Sequence, residues 1–128
     1  MGEMKVLGRH IIAEMYGCDS CLLSDLDKAI AVLREAVEVS GATYLGEFHK
    51  RFEPWGGVTV IIALAESHIS LHTWPEYGYA ALDIFTCGEK ADPWKAYEHV
   101  VRSFRPEKVN VTEMVRGLIR MEKLQEMR

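Results

Sequence analysis

The groups most able to do chemistry are crowded into one stretch, Glu66 to Cys87, where 22 residues carry hydroxyl, imidazole, carboxylate and thiol side chains. Three kinds of chemistry compete for them. His68 and His72 are four apart and, with Cys87, offer a His2Cys set of the open catalytic zinc type, with Cys18 and Cys21 as a second half-site. That set lacks the fourth ligand and the second cysteine pair of a closed site. Ser67 with a histidine suggests a nucleophilic hydrolase, but Ser67 stands between Glu66 and His68 without the flanking glycines of a nucleophile elbow. The third reading makes Ser67 a precursor. Enzymes that remove CO2 from amino acids need an electron sink, which no unmodified side chain supplies. A serine supplies one if its hydroxyl attacks the preceding carbonyl, turning the peptide bond into an ester. Elimination and hydrolysis then leave a ketone at a new N-terminus. That route needs a base near the serine, and His72 is available.

These groups must be held by a scaffold, and the patterning outlines it. His10–Tyr16 reads as a strand between Gly8 and Gly17. Ser24 looks like a helix N-cap, with Asp27 three positions on. Leu26, Ala29, Ile30, Leu33 and Val37 then recur at helical spacing, and Gly41 is a plausible stop, giving a helix over about 25–40. Thr43–Phe52 reads as a strand, and Val58–Ala65 as a central strand covered on both faces. Ile69–Trp74 and Tyr79–Cys87 follow as strands, and alternation puts Ala81, Asp83, Phe85 and Cys87 on one face. Asp92-Pro93 starts a second helix with Trp94, Tyr97, Val101 and Phe104 as its apolar stripe, ended by Pro106. Lys108–Thr112 reads as a last strand, and the charged tail 113–128 has a weak helical pattern. The order β-α-β-β-β-β-α-β predicts an α+β fold. We expect a two-layer α/β sandwich, a mostly antiparallel sheet with two helices on one face and the other face in need of a partner. Residues 67 and 87 fall on neighbouring antiparallel strands.

Composition narrows the classes. The chain has 128 residues, 15 Lys plus Arg against 19 Asp plus Glu, 48% apolar and 27% charged residues. This fits one domain over 1–128 with one core and excludes a disordered or low-complexity chain. The net charge of -4 gives no support to nucleic-acid binding. The longest apolar run, 58–65, is far shorter than the ~20 residues of a membrane span, so no membrane partner is expected. Without a secretory pattern, and with three cysteines that cannot all pair internally, the expected setting is cytoplasmic.

Glu66-Ser67-His68, His72-Thr73-Trp74-Pro75-Glu76-Tyr77-Gly78 and Phe85-Thr86-Cys87-Gly88 together closely resemble the prokaryotic, pyruvoyl-dependent S-adenosylmethionine decarboxylase proenzymes. The resemblance extends from Gly8-Arg9-His10 and Cys18-Asp19, through Ser40-Gly41-Ala42 and Phe48-His49, to Asp92-Pro93-Trp94-Lys95-Ala96. It implies autocatalytic cleavage between Glu66 and Ser67 into a β chain of residues 1–66 and an α chain of residues 67–128, with Ser67 converted to a covalently bound pyruvoyl group and no metal. It further implies a Schiff base between that group and S-adenosylmethionine. Cys87 is implied as proton donor to the substrate carbon, and His72 as the base that removes the α-hydrogen during pyruvoyl formation. Thr59 falls where the family supports processing. Phe52, Trp74 and Glu76 match substrate-binding positions, with Phe52 stacking on adenine and Glu76 accepting from ribose hydroxyls. A homodimer with sites near the subunit boundary, and a product used in spermidine synthesis, complete the expectation. Two alternatives stand beside it. One is a pyruvoyl-dependent arginine decarboxylase of the same family, although Tyr77-Gly78-Tyr79 looks more like the nucleoside-using branch. The other is an uncleaved metal- or nucleotide-binding module.

Taken singly, these residues have ordinary explanations. A strand cysteine is usually a small buried hydrophobe, and a lone histidine is usually a structural hydrogen-bonding group. Cys18 and Cys21 read as structural or exposed thiols, and His10 and His49 carry no assignment. Only the ordered constellation from Glu66 to Cys87 outweighs that reading.

Overall fold

A computed structural model describes residues 3–121. Six strands and three helices follow one another along the chain: β1 (Met4–Tyr16), α1 (Ser20–Leu23), α2 (Leu26–Ser40), β2 (Tyr44–Phe52), β3 (Gly57–Leu64), β4 (His68–Trp74), β5 (Tyr79–Cys87), α3 (Pro93–Phe104) and β6 (Lys108–Arg120). A short 3-10 turn, Pro75–Tyr77, joins β4 to β5. The strands form one sheet in the order β2-β3-β4-β5-β1-β6, with every neighbouring pair antiparallel. The two long helices lie side by side against one face. This is the α+β two-layer sandwich that the patterning predicts.

Alternation decides which side chains meet the helices. Val58, Val60 and Ile62 of β3, Ile69 and Leu71 of β4, Leu82 and Ile84 of β5, and Ile11, Ala13 and Met15 of β1 are all buried. They pack beneath Ile30, Leu33 and Val37 of α2 and Val100 and Phe104 of α3. At about 25 cal/mol per Å2 of apolar surface, burial of this layer is the main term holding the sandwich together. Helix ends are fixed by local chemistry. Asp25 accepts from the Lys28 main-chain N–H, Gly41 ends α2 at φ 80°, and Asp92 accepts from the Trp94 N–H ahead of Pro93. The Arg34 guanidinium of α2 reaches both carboxylate oxygens of Glu47 on β2, at 2.8 and 2.7 Å.

Several details differ from the sequence reading. The N-cap of α2 is Asp25, not Ser24, because Asp19 caps a separate short helix, α1, that ends at Leu23. Strand β1 begins at Met4, six residues before His10, and β6 runs on to Arg120 instead of stopping at Thr112. The two extensions pair with each other, Met4 opposite Arg120 and Val6 opposite Leu118, so neither is evident from its own sequence. The tail's weak helical pattern thus gives way to strand as far as Arg120, and residues 122–128 lie outside the described residues. Strand β3 is covered on one face only: Ile61 and Ala63 are exposed. In α3 the buried stripe is centred on Ala96, Val100 and Phe104, and Trp94, Tyr97 and Val101 pack against the core only in part.

Candidate active site

The face of the sheet away from the helices carries the chemistry. Thr59 on β3, His68, His72 and Trp74 on β4, Asp83, Phe85 and Cys87 on β5, and His10 on β1 alternate with the buried residues and stand on this open face. They fall into two groups at opposite ends of the strands.

The first group surrounds the turn between β3 and β4. Leu64 and Ser67 exchange both main-chain hydrogen bonds, at 2.9 and 3.2 Å, so Ala65 and Glu66 form a two-residue hairpin loop. The Glu66–Ser67 peptide bond lies in this turn. The Glu66 carboxylate is fixed by Thr43, whose main-chain N–H donates at 2.9 Å and whose hydroxyl lies 3.3 Å away. The Ala65 N–H donates to the Thr43 carbonyl at 2.9 Å, and Lys90 Nζ reaches the Thr43 hydroxyl at 2.6 Å. These contacts, the Thr43 N–H above all, hold the Glu66 carboxyl below its ordinary pKa. Ser67 Oγ lies 3.4 Å from His68 Nδ1. The register then builds a row across three strands: His68 opposite Phe85, and Phe85 opposite His10. The His68 ring meets Phe85 edge-on with centroids 5.8 Å apart, and lies 6.5 Å from His10 at 78°. His10 Nε2 is 2.9 Å from Asp83 Oδ1. Cys87, at the end of β5, stands opposite Gly8, where a side chain would strike the Phe85 ring at 2.6 Å. The Arg116 guanidinium covers that ring at 4.6 Å from its centroid.

The second group lies at the far end of β4. Thr59 Oγ1 and His72 Nδ1 are 3.1 Å apart across the β3–β4 pair. With Phe52, Trp74 and Glu76 they line a cavity of about 210 Å3. The Trp74 ring is tilted against Tyr79, 5.2 Å between centroids, and lies 6.5 Å from His72. Burial first, and then the 2.6 Å bond to Glu14, push the Tyr79 phenol well above its ordinary pKa. Beneath the cavity floor the buried Thr73 hydroxyl donates to the Leu23 carbonyl at 2.7 Å and accepts from the Val58 N–H at 2.9 Å, fixing β3, β4 and α1 together.

The structure therefore brings together Phe52, Thr59, His72, Trp74 and Glu76, and separately places Ser67 beside the Cys87 end of β5. It does not bring His72 to Ser67 within one chain: five residues of strand separate them, about 16 Å. The histidine that touches Ser67 is His68. His68, His72 and Cys87 do not converge, and among the described residues no three His, Cys, Asp or Glu side chains form a metal-binding group. Cys18 is buried, which raises its thiol pKa, and Cys21 is exposed. The sequence reading passed over His10, Thr43 and Arg116 because their places depend on cross-strand register.

Comparison with known proteins bears on the family and the fold. The sequence pattern of the S-adenosylmethionine decarboxylase family matches residues 9–117. A protein of Thermotoga petrophila named S-adenosylmethionine decarboxylase proenzyme is 46% identical over 114 residues, 89% of this chain and 87% of the relative. One of the same name from Pyrobaculum aerophilum is 46% identical over 111 residues, 87% of this chain and 89% of the relative. The crystal structure of the adenosylmethionine decarboxylase of Aquifex aeolicus superposes with a TM-score of 0.85 at 33% identity, covering 90% of this chain and 94% of that one. The chain belongs to the S-adenosylmethionine decarboxylase family of enzymes.

Proposed function

We propose that the chain is a self-cleaving proenzyme, one domain over 1–128 that breaks between Glu66 and Ser67 into a β chain of 1–66 and an α chain of 67–128. The mature protein decarboxylates S-adenosylmethionine, and the product serves aminopropyl transfer in spermidine synthesis. The observation that carries this reading is the turn itself. The peptide bond to be broken sits in a two-residue loop clamped on both sides, with a serine hydroxyl beside an imidazole.

A ketone made from Ser67 fits its surroundings. Ser67 is half-buried in the turn, and Gly8 opposite Cys87 leaves room there for the Phe85 ring. A pyruvoyl group there supplies the electron sink for decarboxylation. The chain's own residues supply the rest. Cys87 returns a proton to the substrate carbon. Phe52 and Trp74 hold the adenosyl portion and Glu76 accepts from its ribose hydroxyls. An aromatic ring near a sulfonium substrate is favourable because a cation is drawn to a π face. His72, supported by Thr59, removes the Ser67 α-hydrogen during maturation.

The separation of His72 from Ser67 supports a homodimer. If two copies pack open face to open face about a twofold axis, the His72 end of one protomer meets the Ser67 end of its partner. The face has the apolar surface for it, with Phe48 58%, Met114 51%, Trp74 40% and Ile61 37% exposed.

Denaturing mass spectrometry of the purified protein tests the reading. Two fragments of 66 and 62 residues are expected, the second blocked at its N-terminus by a carbonyl in place of an amine. An active protein of one unbroken 128-residue chain would overturn it. Labelled CO2 release from S-adenosylmethionine, with none from arginine, decides the substrate.

A further inference from the structure

We infer that His68 is the base that starts chain cleavage, taking the Ser67 hydroxyl proton as Oγ attacks the Glu66 carbonyl carbon. This rests on the self-cleavage reading and divides its proton transfers between two histidines: His68 acts first, at oxygen, and His72 acts later, at carbon.

A serine hydroxyl is a weak nucleophile until a positioned base takes its proton, and such a base contributes about 10^2 to 10^4 in rate. The base must lie within hydrogen-bond reach, and such contacts are often long before the reacting geometry tightens. His68 Nδ1 meets the requirement at 3.4 Å from Oγ. The same chain's His72 does not, since its Nδ1 faces Thr59 at 3.1 Å at the other end of the strand, and in the proposed dimer the His72 that reaches Ser67 from the partner is the base of the later step at carbon.

The surroundings of His68 make it more than a chance neighbour. Its ring is braced by Phe85 and His10, at 5.8 and 6.5 Å, and Asp83 in turn fixes His10 at 2.9 Å. The other reacting atoms are held as well. The Ser67 N–H, the leaving nitrogen, is tied to the Leu64 carbonyl at 3.2 Å, and the Glu66 side chain is anchored on Thr43. Nucleophile, base and scissile bond thus belong to three consecutive residues restrained by neighbours on β1 and β5 and by Thr43, just ahead of β2.

The step balances without any further reactant. The Oγ–C bond forms while the hydroxyl proton passes to Nδ1, giving a tetrahedral oxyanion at the Glu66 carbon. The C–N bond then breaks as Nδ1 returns the same proton to the Ser67 nitrogen. The peptide bond has become an ester, with no atom gained or lost and no change of oxidation state. Elimination of that ester is the later step, for which His72 is the base.

Time-resolved mass spectrometry of freshly synthesised chains, with and without hydroxylamine, tests the division. Hydroxylamine splits an ester but leaves the peptide bond. His72→Ala should accumulate full-length chain that hydroxylamine cuts at Glu66. His68→Ala should accumulate full-length chain that hydroxylamine does not cut, with cleavage slowed about 100-fold or more. Added imidazole should restore part of that rate. His68→Gln, which keeps a polar side chain of similar reach, should behave as His68→Ala and carries the test if the alanine chain does not fold by circular dichroism. The inference is overturned if folded His68→Gln cleaves at the wild-type rate or builds up a hydroxylamine-sensitive ester as His72→Ala does. A wild-type chain that stays whole, active and resistant to hydroxylamine would overturn the self-cleavage reading itself, a different and distinguishable result.

Discussion

The two ends of the open sheet face differ in what each lacks. The hairpin end holds a nucleophile, a thiol and paired imidazoles around Ser67, Cys87, His68 and His10, but none of the residues that wall the far cavity. The far end holds a cavity walled by Phe52, Trp74 and Glu76 with the Thr59–His72 pair inside it, but nothing there can become an electron sink. The helix-covered face shows no such division and is apolar apart from the buried Thr73 and Thr86. The lesson is that a strand's length can divide one chemistry between two places. In the dimer we propose, a single copy holds every part of the site without holding the site.

The sharpest way to break this comparison is Ser67→Ala. It should leave one 128-residue chain with no turnover at all, read as intact mass and CO2 release. Next is Cys87→Ala, which should still mature into two fragments but lose about 10^2 to 10^4 in rate, since proton delivery is what it removes. Complementation sharpens the comparison further. Ser67→Ala and His72→Ala chains expressed together should regain up to about a quarter of wild-type activity if each site is shared across a twofold axis. Continued silence in a confirmed mixed dimer would put both ends of one chain in the same site. A smaller effect belongs to the covered face. Leu71 is fully buried, and Leu71→Ala should lower unfolding free energy by about 2–5 kcal/mol in urea melts without altering where the chain is cut.

The smallest effect lies on edge strand β2. Hydrogen bonds from Arg34 first, and also from Tyr44, bring the Glu47 carboxyl down to about 2 from an ordinary 4.5. A carboxyl whose pKa is depressed by folding stabilises the fold above its unfolded value and loses that contribution as pH falls. Acid melts of wild type and Glu47→Gln should therefore differ most above pH 4.5 and converge as pH approaches about 2.

Much of this was legible in the sequence, and the misses share one cause. Period-3.6 and period-2 patterning identified α2, α3 and the central strands, and the shared face of Asp83, Phe85 and Cys87 follows from alternation alone. The extra length of β1 and β6 was invisible because Met4–Gly8 and Glu113–Arg120 become strands only by pairing with each other. The same holds in the site. The Glu66-Ser67-His68 sequence drew attention to the turn, yet the clamp by Thr43 and the bracing of His68 by His10 come from distant segments. Within one chain His72 stands by Thr59 and away from Ser67 for the complementary reason. Five positions along the chain carry its side chain about 16 Å from the turn, to the other end of β4.

Sheet order has one more consequence. A break after Glu66 leaves β1, β2 and β3 on one piece and β4, β5 and β6 on the other, and β1 lies between β5 and β6. The two pieces are interlocked like the fingers of folded hands, so the nick alone gives neither a route of escape. Should heat or denaturant pull them apart, reunion becomes a second-order encounter of strangers, and the severed linkage has no means of resealing. Such a molecule is assembled once: its working lifetime depends on how slowly the sheet comes undone.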